Sequence, residues 1–258
     1  MAKRTYKKKT RAEWKEQKEA LKKVFQEEQD GIVYEAKNLM RFLKFASGFT
    51  KYSYRNQLLI FAQCPNAELV ATFNGWKKRN RYVRANEKHI EIFKPSSFKK
   101  EKPVLDDNGN QVLDANGNPE KEIVEYTDFS IEYVFDISQT EGEPVPELSA
   151  VDEDPMYETN EDLYEALKAV CKTVRSDMDQ EELLLAASSE YLEKPVFRQE
   201  ETEACAYVLA GYMQLSADPL HADRIIDWAK GKKSEEISGF MTRTMKAAGK
   251  LLRELEVE

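Results

Sequence analysis

Between Lys51 and Lys94 the chain interleaves cationic side chains with aromatic ones. Lys51, Arg55, Lys77, Lys78, Arg79, Arg81, Arg84, Lys88 and Lys94 share this stretch with Tyr52, Tyr54, Phe73, Trp76, Tyr82 and Phe93. Cations neutralise phosphates and rings stack on bases, the chemistry that holds a single nucleic-acid strand. The same rings also suit a core: Phe73 and Phe93 are expected there, while Trp76, followed at once by Lys77-Lys78-Arg79, is balanced between the two roles. The expected contacts are Tyr54, Arg55, Asn56, Trp76, Lys77, Lys78, Arg81, Arg84 and Lys88. Base-specific reading of a duplex would need a helix exposing several Arg, Asn or Gln side chains. The segment bearing Arg55, Asn56 and Gln63 is too apolar for that, so sequence-tolerant binding of a single strand is expected.

Other chemistry finds little support. Two histidines, His89 and His221, stand far apart in the chain, so a His-Glu-x-x-His zinc helix, which needs two imidazoles one turn apart, cannot form. Neither histidine has a nucleophile motif beside it. No glycine-rich phosphate loop occurs. Cys64, Cys171 and Cys205 are odd in number and widely spaced, which predicts buried free thiols rather than a disulfide framework or zinc site. The repeated Val-Leu-Asp-Asp-Asn-Gly-Asn at 104–110 and Val-Leu-Asp-Ala-Asn-Gly-Asn at 112–118 reads as tight hairpin turns. Calcium is the alternative there, but such a loop needs six to eight oxygens and a distal glutamate. No cofactor, no metal and no enzymatic activity are expected.

Net charge is −8, yet residues 1–100 contain 24 Lys and Arg against 10 Asp and Glu, and the remainder 15 against 37. A polyanion would be drawn to the first part and repelled by the second. No apolar run reaches the roughly 18 residues of a membrane span, and the basic N-terminus lacks a signal-peptide core. A cytoplasmic protein with no membrane partner is expected.

Positioning these residues requires an α+β fold, with N-terminal helices, a small antiparallel sheet and a mostly helical C-terminal domain. Residues 1–11 read as a basic arm. Trp14, Leu21 and Phe25 place one helical stripe over 12–29, Gly31 is expected to interrupt it, and Ile32, Ala36, Leu39, Leu43 and Ala46 make a second helix. A third starts at the N-cap Ser53 and stops before Pro65; a short one covers 72–79. Strands 81–84 and 89–93 are expected to pair with each other. Phe129, Ile131, Tyr133, Phe135 and Ile137 alternate as a strand with one buried face. The divisions expected are a basic domain at 1–142, an acidic linker at 143–160, and a helical domain at 161–258 with helices over 160–175, 179–192, 198–215, 221–230 and 234–255, the third of them central.

Four motifs in order, Ser53-Tyr-Arg-Asn56-Gln-Leu-Leu-Ile60-Phe-Ala-Gln63-Cys-Pro65, Trp76-Lys-Lys-x-x-Arg81-x-Val83, Glu87-Lys88-x-Ile90 and Val134-Phe-Asp136-Ile-Ser-Gln139-Thr-Glu141, resemble the N-terminal domain of ArdC-type antirestriction proteins of plasmids, phages and other mobile elements. The resemblance spans about 50–142 and implies a single-stranded-DNA-binding α+β domain. The family pattern has glycine where this chain has Asn80, Asn86 and His89; asparagine is the best substitute at positive φ. The family continues into a zinc metallopeptidase-like domain. Here Glu201-Thr-Glu203-Ala-Cys-Ala206-Tyr-Val-Leu209 and Ile226-Asp-Trp228-Ala229 are similar to its downstream part, but the metal helix is missing. The resemblance therefore implies a metallopeptidase scaffold without its metal site, with Glu201 or Glu203 a remnant of a ligand position. The function it implies is antirestriction, the coating of an entering single strand against host nucleases. The alternative is a protein-interaction or DNA-mimic module, in which the acidic C-terminal half meets a host or mobile-element protein.

Overall fold

The computed structural model describes residues 9–34, 36–106, 110–113, 117–145, 156–215 and 222–256. Most of the basic arm, the centres of both Asn-Gly turns, much of the acidic linker, and His221 lie outside these. The described residues form an α+β architecture. Helices α1 (Arg11–Tyr34), α2 (Ala36–Ser47) and α3 (Tyr54–Gln63) come first. Then follow β1 (Val70–Thr72), α4 (Phe73–Lys78), β2 (Arg81–Val83), β3 (Ile90–Pro103), β4 (Lys121–Asp136), a 3-10 turn at Ile137–Gln139, and β5 (Thr140–Gly142). The chain ends in α5 (Asn160–Val170), α6 (Gln180–Tyr191), α7 (Arg198–Tyr212), α8 (Ala222–Ala229) and α9 (Ser234–Leu255).

Gly31 does not end α1. A glycine inside a helix costs about 1 kcal/mol relative to alanine, and the neighbouring Ile32, fully buried in the core, outweighs it. The C-terminal helices start where their caps allow. Thr159 and Asp162 close a capping box at α5, and Asp179 and Glu182 close another at α6, each satisfying otherwise orphaned backbone N–H groups. Helix α7 is the central one, buried from Glu201 to Ala206 and again from Val208 to Ala210, and packed against α2, α6, α8 and α9.

Two compact units emerge, residues 93–132 and the remainder. In the larger unit one apolar core contains Leu39, Phe42, Leu43 and Leu58 together with Leu167, Leu184, Leu209, Phe240 and Leu251. Helices on both sides of the acidic 143–160 segment thus close a single core. A smaller core gathers Phe49, Ile60, Val70, Ile90, Ile92 and Val134 around the sheet.

The strand order is β1-β4-β3, with β1 antiparallel to β4 and Val70 opposite Asp136; β2 and β5 form a separate antiparallel pair with Arg81 opposite Gly142. The expected hairpin between 81–84 and 89–93 is therefore corrected: β2 takes its partner from about 60 residues downstream. Gly142 explains why that pairing is specific. Its φ is +136°, and a Cβ there would lie 2.3 Å from the Asn80 carbonyl oxygen. The alternating face expected for 129–137 is also corrected. Ile131 is buried, but Phe129 is 40% exposed, and Val134 and Asp136, which are out of phase, are the buried residues near the strand's end. Asp136 lies inside because its carboxylate accepts from the backbone N–H groups of Glu68, Leu69 and Ser138.

Candidate nucleic-acid interface

The surface-bearing segment begins at α4. Thr72 caps this helix by accepting from Gly75 N–H at 3.0 Å. Lys77 and Lys78 fall in its last turn, where the helix dipole favours cations. The chain then turns through Asn80 at φ 54° into β2, which packs against α4. Asn86 follows at φ 66°. These are two of the three positions where the resembling family has glycine, and both adopt the left-handed backbone that asparagine tolerates. His89 does not. Its Nε2 lies 3.2 Å from Glu91 Oε1, and its ring centroid is 4.1 Å from that of Tyr133.

Within the ten residues from Phe73 to Tyr82, the rings sort in an order opposite to the one expected. Phe73, assigned to the core, is 55% exposed, and Tyr82 is also 55% exposed. Trp76 is fully buried, with its indole N–H donating to the Phe135 carbonyl at 2.8 Å. Tyr54 is buried as well, makes edge contacts with Phe25 and Phe42, and donates to Gln29 Oε1. Burial raises its hydroxyl above the ordinary tyrosine range. Trp76 and Tyr54 thus support the surface from within, and Phe73 and Tyr82 are the exposed rings of this stretch.

The cations divide in the same way. Lys77, Lys78, Arg79, Lys88 and Arg55 are exposed. The Arg79 guanidinium sits 6.0 Å from the Trp76 ring centroid, and that of Arg55 sits 5.7 Å from the Phe25 ring. Arg81 is engaged with the adjacent chain, donating to Thr140 Oγ1 at 2.8 Å, the Thr140 carbonyl at 3.2 Å and the Glu143 carbonyl at 2.5 Å. Arg84 donates to the Ser138 carbonyl at 2.6 Å and pairs with Glu87 at 2.8 Å. Both arginines pin the 138–143 segment. Asn56 is half-buried on α3.

The amides of the four motifs mostly do structural chemistry. Gln57 donates to the Phe49 carbonyl. Gln63 donates to the Glu91 carbonyl and accepts from the Glu91 N–H. Gln139 donates to the Lys88 carbonyl and accepts from the Asp136 N–H. Composition showed an amide-rich stretch; that these groups bridge chain segments was hidden because their partners are remote in sequence.

Elsewhere, Cys171 and Cys205 are buried free thiols and Cys64 is half-buried. Burial pushes Cys171 and Cys205 up to about 12. On α7, Glu201 accepts two bonds from Arg243, and the buried Glu203 pairs with Arg224. Glu203 and Arg224, with Leu185, Ser189, Gln199 and Thr202, line a cleft of about 520 Å³. Among the described residues no group of three or more His, Cys, Asp or Glu side chains is arranged to hold a metal ion, and no helix is long and apolar enough to cross a membrane.

No curated protein matches the chain significantly. The crystal structure of the antirestriction ArdC protein from the R388 plasmid, in its metal-free form, shares 13% sequence identity with this chain, covering 90% of it and 96% of the plasmid protein at a TM-score of 0.47. The family described as the N-terminal domain of the anti-restriction factor ArdC matches residues 14–135, a span that runs from within α1 through α4 and includes every exposed cation and ring of the α4–β2 surface. Over these residues the chain is similar to the ArdC N-terminal-domain family.

Proposed function

We propose that this protein binds single-stranded DNA with little sequence preference through the α4–β2 surface, and that it acts in antirestriction by covering mobile-element DNA against host nucleases. The observation that carries the reading is the pairing of two exposed rings, Phe73 and Tyr82, with exposed Lys77, Lys78 and Arg79 in one ten-residue stretch. Rings of this kind stack on any base, and the cations between them meet phosphates. The match of residues 14–135 to the N-terminal domain of the anti-restriction factor ArdC supports the antirestriction role. The excess of positive charge in residues 1–100 supports attraction of a polyanion.

In this reading the DNA-binding part is 1–142, and 161–258, beyond the acidic 143–160, serves as scaffold. That assignment is supported by the shared core, in which α7 and α9 contribute buried side chains alongside α2 and α3. Binding does not require catalysis, and the protein acts in the cytoplasm, where entering DNA is met. The test is fluorescence anisotropy of full-length protein with a labelled oligothymidylate. Phe73→Ala and Tyr82→Ala should each weaken binding by about 1–3 kcal/mol, while Lys77→Ala with Lys78→Ala should flatten its salt dependence. Binding that is unchanged in all of these variants would place the site elsewhere.

A further inference from the structure

Residues 93–132 expose a disproportionate share of apolar surface. Phe98, Leu105, Leu113, Ile123 and Phe129 lie in this unit, out of nine large apolar side chains exposed among the described residues. The charges are sorted by strand. From Lys94 to Pro103, β3 carries Lys94, Lys99, Lys100 and Lys102 against Glu101. On β4, Glu122, Glu125, Asp128 and Glu132 stand against Lys121. Two bridges, Lys94–Glu132 at 2.7 Å and Lys121–Glu101 at 2.9 Å, cross between the strands. In the order β1-β4-β3, β3 is the outer strand, and its four lysines are exposed along it. The ring of Phe98, 48% exposed, stacks on Tyr126 at a centroid distance of 5.6 Å and an interplanar angle of 17°. Lys102 Nζ lies 5.7 Å from the centroid of the Tyr126 ring.

A free edge strand ordinarily invites another strand to pair with it, and lysines and prolines are what discourage this. With Pro95 and Pro103 in the strand and four lysines along it, β3 is poorly suited to accept a protein strand. A row of cations beside an exposed ring, that of Phe98, suits a polyanion that also has flat faces to stack. We propose that the β3 edge and the Phe98–Tyr126 pair form a second contact surface for single-stranded DNA. The free face of Phe98 receives a base, and Lys99, Lys100 and Lys102 meet the phosphates. The carboxylates of β4 repel the strand from the opposite edge and so fix the side on which it runs. The inference rests on the single-strand reading proposed above and extends its footprint.

The test uses the full-length chain and a labelled oligothymidylate. Phe98→Ala should weaken binding roughly 5- to 150-fold, the effect of losing one base stack. Replacing Lys99, Lys100 and Lys102 together with alanine should make the slope of log affinity against log salt shallower by about 2, since each phosphate contact on a single strand contributes roughly 0.7. Hydrogen exchange on the unaltered protein gives an independent readout, with residues 96–102 becoming protected when the oligonucleotide is added. If the unaltered protein binds and neither the variants nor exchange over 96–102 respond, this second surface is overturned and the α4–β2 site stands. If the unaltered protein does not bind, the single-strand reading itself falls, and this inference with it.

Discussion

Arg243→Met isolates the energetics of the buried α7 carboxylate. Glu201 is fully buried. Its Oε1 accepts from Arg243 Nε at 2.9 Å and Nη2 at 2.5 Å, with the Phe197 N–H at 3.4 Å, and its Oε2 has no hydrogen-bond partner among the described residues. The Arg243 side chain is 27% exposed, so its guanidinium is largely screened from water while the carboxylate is wholly so. Removing one partner of a buried pair leaves an uncompensated charge, which costs about 3–5 kcal/mol. A chain of this size loses about 2–4 °C per kcal/mol, so the melting temperature should drop by about 6–20 °C. The double change Glu201→Leu with Arg243→Leu removes both charges and replaces them with apolar volume. It should recover most of the loss, because well-packed apolar replacements of buried pairs are neutral or better. Urea unfolding of the three proteins followed by circular dichroism measures this. An Arg243→Met protein within about 1 kcal/mol of the parent, or a double variant no better than the single one, would refute the view that Glu201 is a structural carboxylate held in place by Arg243.

Three further outcomes follow from the packing. Burial holds Cys171, Cys205 and Tyr212 protonated, pushing each up to about 12 from ordinary values of 9.0 for the thiols and 10.0 for the phenol. The folded chain therefore binds more protons than the unfolded one above those ordinary values. Stability should be complete below about pH 8.5 and fall as pH rises, by up to about 1.4 kcal/mol per group per pH unit; urea midpoints that stay flat to about pH 11 would contradict this. Asn80→Ala should cost about 1 kcal/mol at φ 54° while Asn80→Gly stays near neutral, and Gly142→Ala should cost more than either, because its Cβ meets the Asn80 carbonyl; thermal melts order the three. Trp76→Ala should destabilise the fold by about 3–5 kcal/mol, whereas Phe73→Ala should leave the melting temperature within a degree or two and act on DNA affinity alone, which a melt and an anisotropy titration separate.

The sequence was most legible where signals are local. Ser53 and Pro65 marked the two ends of α3, and the two asparagines standing for glycines marked left-handed turns. It was least legible where partners are remote. Nothing near 81–83 indicates that 140–142 is its partner strand, because that choice rests on Gly142 admitting the Asn80 carbonyl and on Arg81 reaching Thr140. The site shows the same divide. The basic and aromatic stretch could be read from residue types, but which of two rings three positions apart turns inward could not. Trp76 is drawn in by the Phe135 carbonyl, and Phe73, at the first position of a six-residue helix, is left outside. Arg81 and Arg84 look like phosphate ligands in one dimension and bind backbone carbonyls in three.

The most direct measurement of the central claim is the affinity of the full-length protein for single- and double-stranded oligonucleotides of the same sequence across a salt series. If the α4–β2 surface holds a single strand, the single-stranded form should bind more tightly, with log affinity falling linearly in log salt at a slope of about −2 or steeper, as expected for three or more phosphate contacts, and with little change when the bases are permuted. Absence of single-strand binding at about 50 mM salt, where phosphate contacts are strong, or equal affinity for the duplex, would contradict the account.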